Sequence, residues 1–369
     1  MTLDGPRVGL ICEQLLQRVP GGIGTYASAL LSYLPAQGAE VTALVARHPR
    51  EELRRAGLSR ARRLPLPRRL LYPSWNRTGR PRIDAGVDVV HATSMAFPDR
   101  GRVPLVVTVH DLLFREFPEA YPARGLAFHE RALARLAQAD LVICPSEASA
   151  AAVRAVGHGV GPIRVVPLGC DLAPPRLDER DRVLKALGVE PPYVLWVGTL
   201  EPRKNLIGVV RGFVRAAGAA TGLNLYLVGP SGWGRDDLGP LLAERGVADR
   251  VRRLGRQPRE RLGALYAGAA AFVYPSLGEG FGFPVLEAMA CGSPVVTSDR
   301  SSLPEVAGDA ALLCDPTDES SIAERLAEVL DDAGLADELR ERGRKRAAEF
   351  TWERTARATV ACYREALAP

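Results

Sequence analysis

From Arg7 onward the chain alternates short β-branched runs with amphipathic stretches, and it does so twice. RVGLIC, EVTALVA, DVVHAT, PLVVTVH, LVICPS and IRVVPLG read as strands, with helical segments such as Thr25–Leu34 and Arg124–Gln138 between some of them. Near-continuous apolar runs need cover on both faces, which a parallel sheet wrapped by helices provides. The alternation lapses over DLAPPRLDERDRVLKALGVEPP, which holds four prolines, many charges and no strand pattern. It restarts with YVLWVG, LNLYLVG, VRRLG, AFVYPS, PVVTS and AALLC. The expected fold is therefore α/β. Two doubly wound, Rossmann-like domains, 1–171 and 191–350, are joined by a linker over 172–190 and face each other across a cleft. Ligands in such sheets sit outside the carboxyl ends of strands, so both halves can line that cleft. Residues 351–369 follow a helical pattern with no strand after it, and this last helix is expected to pack across the hinge.

Length and composition agree with two cores: 369 residues, 47% hydrophobic and 25% charged. No apolar run reaches eighteen residues, and MTLDGPRVGLIC lacks the regions of a signal peptide. The six cysteines are scattered and mostly lie in apolar runs, which predicts buried thiols in a reducing cytoplasm, with no disulfide frame or zinc site. The net charge of +5 is uneven, with twelve arginines between Arg47 and Arg82 against Glu51 and Glu52 alone. This segment is either a solvated basic surface or a patch that meets anionic lipid headgroups or an anionic acceptor. Leu64, Leu66, Leu70, Leu71, Tyr72 and Trp75 interleave with the arginines, as an interface would. No nucleic-acid recognition motif accompanies the charge.

Gly22-Ile-Gly24-Thr-Tyr-Ala27 matches G-x-G-x-x-A in form. A dinucleotide site needs those glycines directly after the first strand and an acid ending the second. Here Glu13–Pro20 intervenes and the second strand runs into Ala46-Arg47-His48, so nicotinamide binding is not expected. What remains is a turn, or a glycine-rich loop that opens a helix and brings backbone N–H groups close to a ligand.

In the second half, YVLWVG runs into Thr199-Leu-Glu-Pro-Arg203-Lys204-Asn205. Cations at a helix start are disfavoured by about 0.3–1 kcal/mol unless an anion joins them. An Arg fork and a Lys point charge there suit a diphosphate, or else mark a solvated helix start. Further on, EGFGFPVLE places Glu279 on a glycine-rich loop and Glu287 one turn into a helix that opens near Pro284 and closes at Gly292. Glu287 lies in an apolar helix, where an unpaired carboxylate carries a desolvation cost. Sugar hydroxyls, which donate to carboxylates and carry no charge, would relieve it; a capping role for either glutamate is the structural alternative. His110 ends a strand and precedes Asp111, which makes it either a satisfied buried histidine or a site residue; His91 closes a neighbouring strand.

VGTLEPRKN, YPSLGEGFGFPVLEAMACGSPVV and SSLPEVAGDAALLCDP, and more loosely GGIGTY, VHDLLF and ICPSEASA, together resemble the retaining glycosyltransferases of family 4. The resemblance covers nearly the whole chain and implies the two-domain GT-B fold. It implies transfer of a hexose from a nucleoside diphosphate sugar to an acceptor hydroxyl. It assigns Glu279 to the sugar at the reacting centre and Glu287 to the ribose hydroxyls. Arg203 and Lys204 clamp the diphosphate in this scheme, and backbone amides of Phe281, Gly282 and Phe283 bind sugar and phosphate oxygens. In the first domain, His110 faces the sugar, while Gly22 and Gly24 meet the phosphate or acceptor side. Some relatives carry Gly-Arg where this chain has Gly198-Thr199, which implies a clamp with one cation fewer.

No D-x-D occurs, so cationic side chains are expected in place of a metal clamp, and no cofactor beyond the sugar nucleotide is expected. The resemblance favours a front-face route, in which the departing phosphate accepts the acceptor's proton. TLEPRKN and EGFGFPVLEAMACG are close to bacterial mannosyltransferases, which points first to GDP-mannose; UDP-glucose and UDP-N-acetylglucosamine stay open. The acceptor is a carbohydrate, a lipid-linked glycan or lipid, or a small metabolite, and the expected location is the cytoplasm, at the inner face of the membrane where the basic segment engages it. Two alternatives belong to other classes: a sugar-nucleotide epimerase on the same scaffold, using His110 and Glu279 as its acid–base pair, and a non-catalytic sugar-nucleotide binder. If the basic segment 47–82 engages anionic lipid, sedimentation should show binding to anionic liposomes that weakens as salt is raised. Absent or salt-insensitive binding would refute that role.

Overall fold

The computed structural model describes residues 5–368, apart from 85, 157–158, 218–221, 233–237 and 246. The chain divides into two compact units, Met1–Gly169 with Thr351–Pro369, and Cys170–Phe350. The first unit contains β1 (Arg7–Ile11), β2 (Glu40–Val45), β3 (Arg62–Arg63), β4 (Val89–Ala92), β5 (Leu105–Thr108), β6 (Leu141–Cys144) and β7 (Ile163–Val165). Among the described residues these form one parallel sheet in the order β3-β2-β1-β4-β5-β6-β7. The second unit contains β8 (Tyr193–Val197), β9 (Asn224–Val228), β10 (Val251–Gly255), β11 (Ala271–Tyr274), β12 (Val295–Ser298) and β13 (Leu312–Cys314). They form a second parallel sheet in the order β10-β9-β8-β11-β12-β13. Each sheet starts in its middle, grows one way and then the other. The reversal falls between β1 and β4 in the first and between β8 and β11 in the second. Loops leaving the carboxyl ends of such a pair diverge to opposite faces and open a crevice.

Central strands are buried along their whole length, as in β4, β5, β6, β8 and β11. Three of the four edge strands instead carry arginine: Arg62 and Arg63 in β3, Arg164 in β7, Arg252 and Arg253 in β10. Charge on an unpaired edge disfavours pairing with a second sheet. β3 is the strand that the sequence pattern does not show, because two exposed arginines have no apolar alternation to read. In the second unit, helices Leu206–Ala217 and Glu319–Asp331 pack closely at Gly212. A Cβ there would lie 2.5 Å from Cγ2 of Ile322, so a larger residue would force the helices apart.

Three expectations take a different form in the structure. Within 172–190 the chain forms a helix, Leu177–Leu187, which belongs to the second unit and packs against helix Arg259–Gly268. Two of its three acids, Asp178 and Glu179, lie in the first turn and Lys185 in the last, as the helix dipole favours, so density of charge had masked a helix. The last helix, Trp352–Leu367, belongs to the first unit and packs on helix Gly21–Tyr33 and on β4, β5 and β6. In the basic segment, Leu64, Leu71 and Trp75 are core residues, with Leu66 and Tyr72 packed against them. Leu70, 54% exposed, is the apolar side chain left for an outside contact. Helix Arg68–Thr78 thus spends most of its apolar surface on the first unit's own core.

The last helix is tied to the sheet by a buried polar chain. His91 on β4 bonds Tyr363 OH through Nδ1 at 2.7 Å and Thr108 Oγ1 through Nε2 at 2.8 Å. Tyr26 OH meets the same Thr108 hydroxyl at 3.1 Å. Burial, helped by nearby His110, pushes the His91 imidazole down to about 3. A depressed histidine favours folding above its unfolded pKa near 6.5 and loses that contribution as pH falls toward its folded value. Between pH 7 and pH 5 this group alone should remove about 2 kcal/mol. Calorimetric melting should therefore fall more steeply with acid over that interval for the wild type than for His91→Gln; equal slopes would show that His91 does not titrate in this way.

Candidate active site

The second unit builds its site from the two loops that flank its reversal point. After β8, Glu201 enters a short turn, Pro202–Lys204, that ends at Asn205 with φ 54°. Asparagine tolerates the left-handed region, and here its side chain fixes the turn in place. Nδ2 donates to Pro275 O at 3.0 Å and to Pro316 O at 2.6 Å. From the other loop, Leu277 N–H and Ser276 Oγ donate to Arg203 O at 2.9 and 3.1 Å. The loops after β8 and β11 are stitched together by backbone acceptors before any side chain is considered.

Between them lie four charges. Lys204 Nζ contacts Glu279 Oε1 at 2.5 Å and Arg203 Nη1 reaches the same oxygen at 3.3 Å. Tyr274 OH and Ser276 Oγ donate to it as well, at 2.9 and 2.8 Å. Arg203 Nη2 pairs with Glu201 Oε1 at 2.7 Å, and its Nη1 donates to Gly278 O. Arg203 and Lys204 are each only 12% exposed, so they do not form a solvated helix start. The anion that the helix-dipole argument requires beside them is already present, as Glu201 and Glu279. Burial alone would raise the Glu279 carboxyl; the Lys204 and Arg203 charges outweigh it and hold the group at about 2. Burial pushes the Lys204 ammonium down, with the Glu279 charge opposing. Among the described residues, every hydrogen bond to the Glu279 carboxylate falls on Oε1, which leaves Oε2 to accept from a ligand.

The loop backbone is fixed in the same manner. Ser301 Oγ and Ser302 Oγ donate to Glu279 O at 2.5 and 2.8 Å, and Ser302 Oγ also to Phe281 O at 2.9 Å. Gly282 sits at φ 111° and leads into helix Phe283–Ala290. That backbone favours glycine, and a Cβ would lie 2.7 Å from Leu303 Cδ2. Phe281 packs edge-on against Phe283 and Phe350. On the helix, Glu287 Oε1 lies 3.3 Å from Arg259 Nη1, and Tyr266 OH donates to Oε2 at 3.3 Å. Arg259 also pairs with Asp171. Burial raises the Glu287 carboxyl, with Arg259 opposing. The desolvation cost expected for Glu287 is thus partly offset inside the protein.

The first unit holds the remaining candidates. His110 donates from Nε2 to Thr93 O at 2.9 Å, and Ser149 Oγ donates to His110 O at 2.7 Å. Its ring meets Tyr26 edge-on at 5.3 Å, and burial lowers its pKa. This is a neutral imidazole in a fixed tautomer, and among the described residues no hydrogen bond falls on Nδ1. Gly22 and Gly24 lie within the first turn of helix Gly21–Tyr33, where the sequence suggests a loop before it. The helix starts early because Pro20 already has helical angles, φ −62° and ψ −32°.

Arg203, Lys204 and Glu279 are therefore in contact, and Glu287 and Phe281–Phe283 lie on the same loop and helix as Glu279. Sequence reasoning missed Glu201, Tyr274, Ser276, Ser301, Ser302, Arg259 and Tyr266. Glu201, Tyr274, Ser276, Ser301 and Ser302 had a readable signal, since each lies inside a motif quoted above; Arg259 and Tyr266 had none.

Comparison with known proteins agrees with this architecture. Residues 20–174 match the model for Glycosyltransferase Family 4, and residues 178–346 match Glycosyl transferases group 1. O-antigen chain mannosyltransferase B of Escherichia coli is 36% identical over 266 residues, 70% of each chain. Sucrose-phosphate synthase (tll1590) from Thermosynechococcus elongatus superposes with a TM-score of 0.77 at 24% identity, over 98% of both chains. Anabaena Alr3699/HepE, solved in complex with UDP-glucose, gives 0.75 at 19% identity over 98% of this chain and 99% of that one. The chain belongs to glycosyltransferase family 4: it is a hexosyltransferase with the two-domain GT-B fold.

Proposed function

We propose that this enzyme moves a hexose from a nucleoside diphosphate sugar to an acceptor hydroxyl, with retention at the anomeric carbon and without a bound metal. The observation that carries the reading is Glu279: ionised, held at Oε1 by three hydrogen-bond donors and the Arg203 ion pair, and open at Oε2 beside Arg203 and Lys204. In the reaction, the bond from the anomeric carbon to the diphosphate breaks, and the phosphate keeps the electron pair. The acceptor oxygen bonds to that carbon on the same face, and its proton passes to the departing phosphate oxygen. Arg203 and Lys204 face the charge that builds there, in place of a metal, and amides of Phe281, Gly282 and Phe283 add donors. Electrostatic groups of this kind need no reorganisation during the step.

A carboxylate held at about 2 is a weak base, and Oε1 is already saturated. That disfavours Glu279 as a covalent nucleophile and favours the front-face route; Oε2 accepts from a sugar hydroxyl instead. Glu287 takes the ribose hydroxyls, which donate without adding charge to a buried carboxylate. His110 accepts a sugar hydroxyl at Nδ1, and Gly22 and Gly24 allow close backbone approach on the phosphate or acceptor side. The name of the Escherichia coli relative supports mannose, and so GDP-mannose as first donor, with a glycan or glycolipid as acceptor. The UDP-glucose complex of the Anabaena protein supports a nucleoside diphosphate sugar in general. The basic segment 47–82 adds contact with anionic membrane from the cytoplasmic side; among the described residues no helix is long and apolar enough to cross one.

A thermal-shift panel of nucleotide sugars tests the donor. A ligand at a hundred times its dissociation constant stabilises by about 2.7 kcal/mol, and GDP-mannose is expected to stand out. With that donor and a competent acceptor, Glu279→Ala and Lys204→Ala should each lower kcat by about 10²–10³. Intact turnover in both variants would sink the site, and epimer formed from labelled donor without acceptor would sink the transferase mechanism.

A further inference from the structure

Glu201 is the one charge of the buried cluster with no part in the chemistry above. It sits on the same tight turn as Arg203, two residues away, and is 9% exposed. The turn cannot easily open, because Lys204 N–H bonds Glu201 O at 3.1 Å, Asn205 N–H bonds Pro202 O at 3.0 Å, and Asn205 anchors the far end to Pro275 O. Glu201 Oε1 accepts from Arg203 Nη2 at 2.7 Å, while Nη1 of that guanidinium faces Gly278 O and Glu279. The charge count follows directly. Among the described residues, two cations, Arg203 and Lys204, face two carboxylates, Glu201 and Glu279, while Tyr274 stays neutral because burial raises its hydroxyl. These four charged groups balance one another.

We infer that Glu201 is a built-in counter-ion to the phosphate clamp: it orients Arg203 before the donor arrives and weakens the hold on the nucleoside diphosphate left after transfer. This rests on the reading that Arg203 and Lys204 take the diphosphate. The sugar nucleotide also gains contacts through its hexose, at Glu279 and the Phe281–Phe283 loop. The product has lost the hexose; it keeps the ribose contact at Glu287, but a larger share of its hold comes from the charge contacts. A fixed negative charge a few ångströms from Arg203 therefore penalises the product in proportion to its reliance on that cation. Product release limits many such enzymes, so weakening it raises turnover.

The sign of the effect makes the test decisive. Damage to the site lowers affinity for a diphosphate, whereas loss of an opposing charge raises it. Calorimetric titrations with inorganic pyrophosphate, GDP and UDP should be made on the full chain as wild type, Glu201→Gln, Glu201→Asp and Lys204→Ala. Glu201→Gln keeps an acceptor for Arg203 and removes only the charge. It should bind pyrophosphate and the favoured nucleotide at least tenfold tighter, the change that one charge as far as about 12 Å away produces at an effective dielectric constant near 20. Its salt dependence should be steeper, and kcat and donor KM should both fall. Glu201→Asp, which restores the charge, should return affinity toward the wild type. If Lys204→Ala weakens binding while Glu201→Gln leaves it unchanged or weaker, the counter-ion role is wrong and the clamp stands. If Lys204→Ala leaves diphosphate binding unaltered, the clamp itself is wrong and the inference falls with it.

Discussion

Glu201, Arg203, Lys204 and Glu279 are buried together at the carboxyl ends of β8 and β11, and the rest of the second unit's site is arranged to make that burial tolerable. Taking charges out of water costs several kcal/mol per ion unless partners and hydrogen bonds replace the lost hydration. Here each charge has an opposite partner, and Tyr274 and Ser276 add neutral donors to Glu279. Lys204 also lies 5.4 Å from the Tyr274 ring, a favourable position for a cation over an aromatic face. The compensation is local and complete enough to keep the carboxylate ionised. It also explains why Glu279 has a defined orientation, since three hydrogen bonds and an ion pair converge on one of its two oxygens.

The first unit repeats the strand order but has a different set of side chains near its reversal point, where a buried carboxylate, Glu13, pairs with His48 and the other buried polar groups include hydroxyls and imidazoles. Tyr26, Thr108, His91 and Tyr363 form a chain of hydroxyl and imidazole contacts, and His110 stands beside it against Tyr26. Two imidazoles buried this near each other cannot both carry protons cheaply, and burial lowers both. The two sheets thus present different chemistry from similar topology. One holds a buried cluster of two cations and two carboxylates. The other holds a chain of hydroxyls and imidazoles. That division follows from which side chains leave the strand ends, and the fold class alone would not reveal it.

Much of this was legible in the sequence, for a physical reason. Buried parallel strands must be apolar throughout, so the central strands announced themselves, β7 and β10 showed despite their arginines, and glycine with proline marked the turn from β11 into helix Phe283–Ala290. Arg203, Lys204, Glu279 and Glu287 stood out because charges beside apolar runs need an explanation. What stayed hidden needed three dimensions. Glu201 looked like one more loop acid until the turn folded it onto Arg203, and the Arg259–Glu287 pair joins residues 28 positions apart. The arginine-rich segment misled in the opposite direction. Its leucines and Trp75 looked like an interface because the pattern cannot say which face meets the first unit's core. Helix Leu177–Leu187 was obscured by prolines that lie outside it and by charges that suit its ends.

Backbone conformation carries the same logic one step further. Among the described residues, the two non-glycine residues with positive φ are Asn205 at 54° and Ser301 at 60°. Such conformations carry a cost on the order of 1–3 kcal/mol and persist only where surrounding contacts over-determine them. Both lie against the charge cluster, and both are tied by their side chains to the loop after β11. Asn205 binds Pro275 O, and Ser301 binds both the carbonyl and, at 3.1 Å, the N–H of Glu279. The strain therefore sits where the loops bearing Arg203, Lys204 and Glu279 are joined. A clamp that had to reorganise as charge moved onto the leaving phosphate would lose in relaxation what it gained in attraction. For the transfer proposed above, loops locked by strained but well-bonded residues would avoid that loss by holding Arg203 and Lys204 in place through the step.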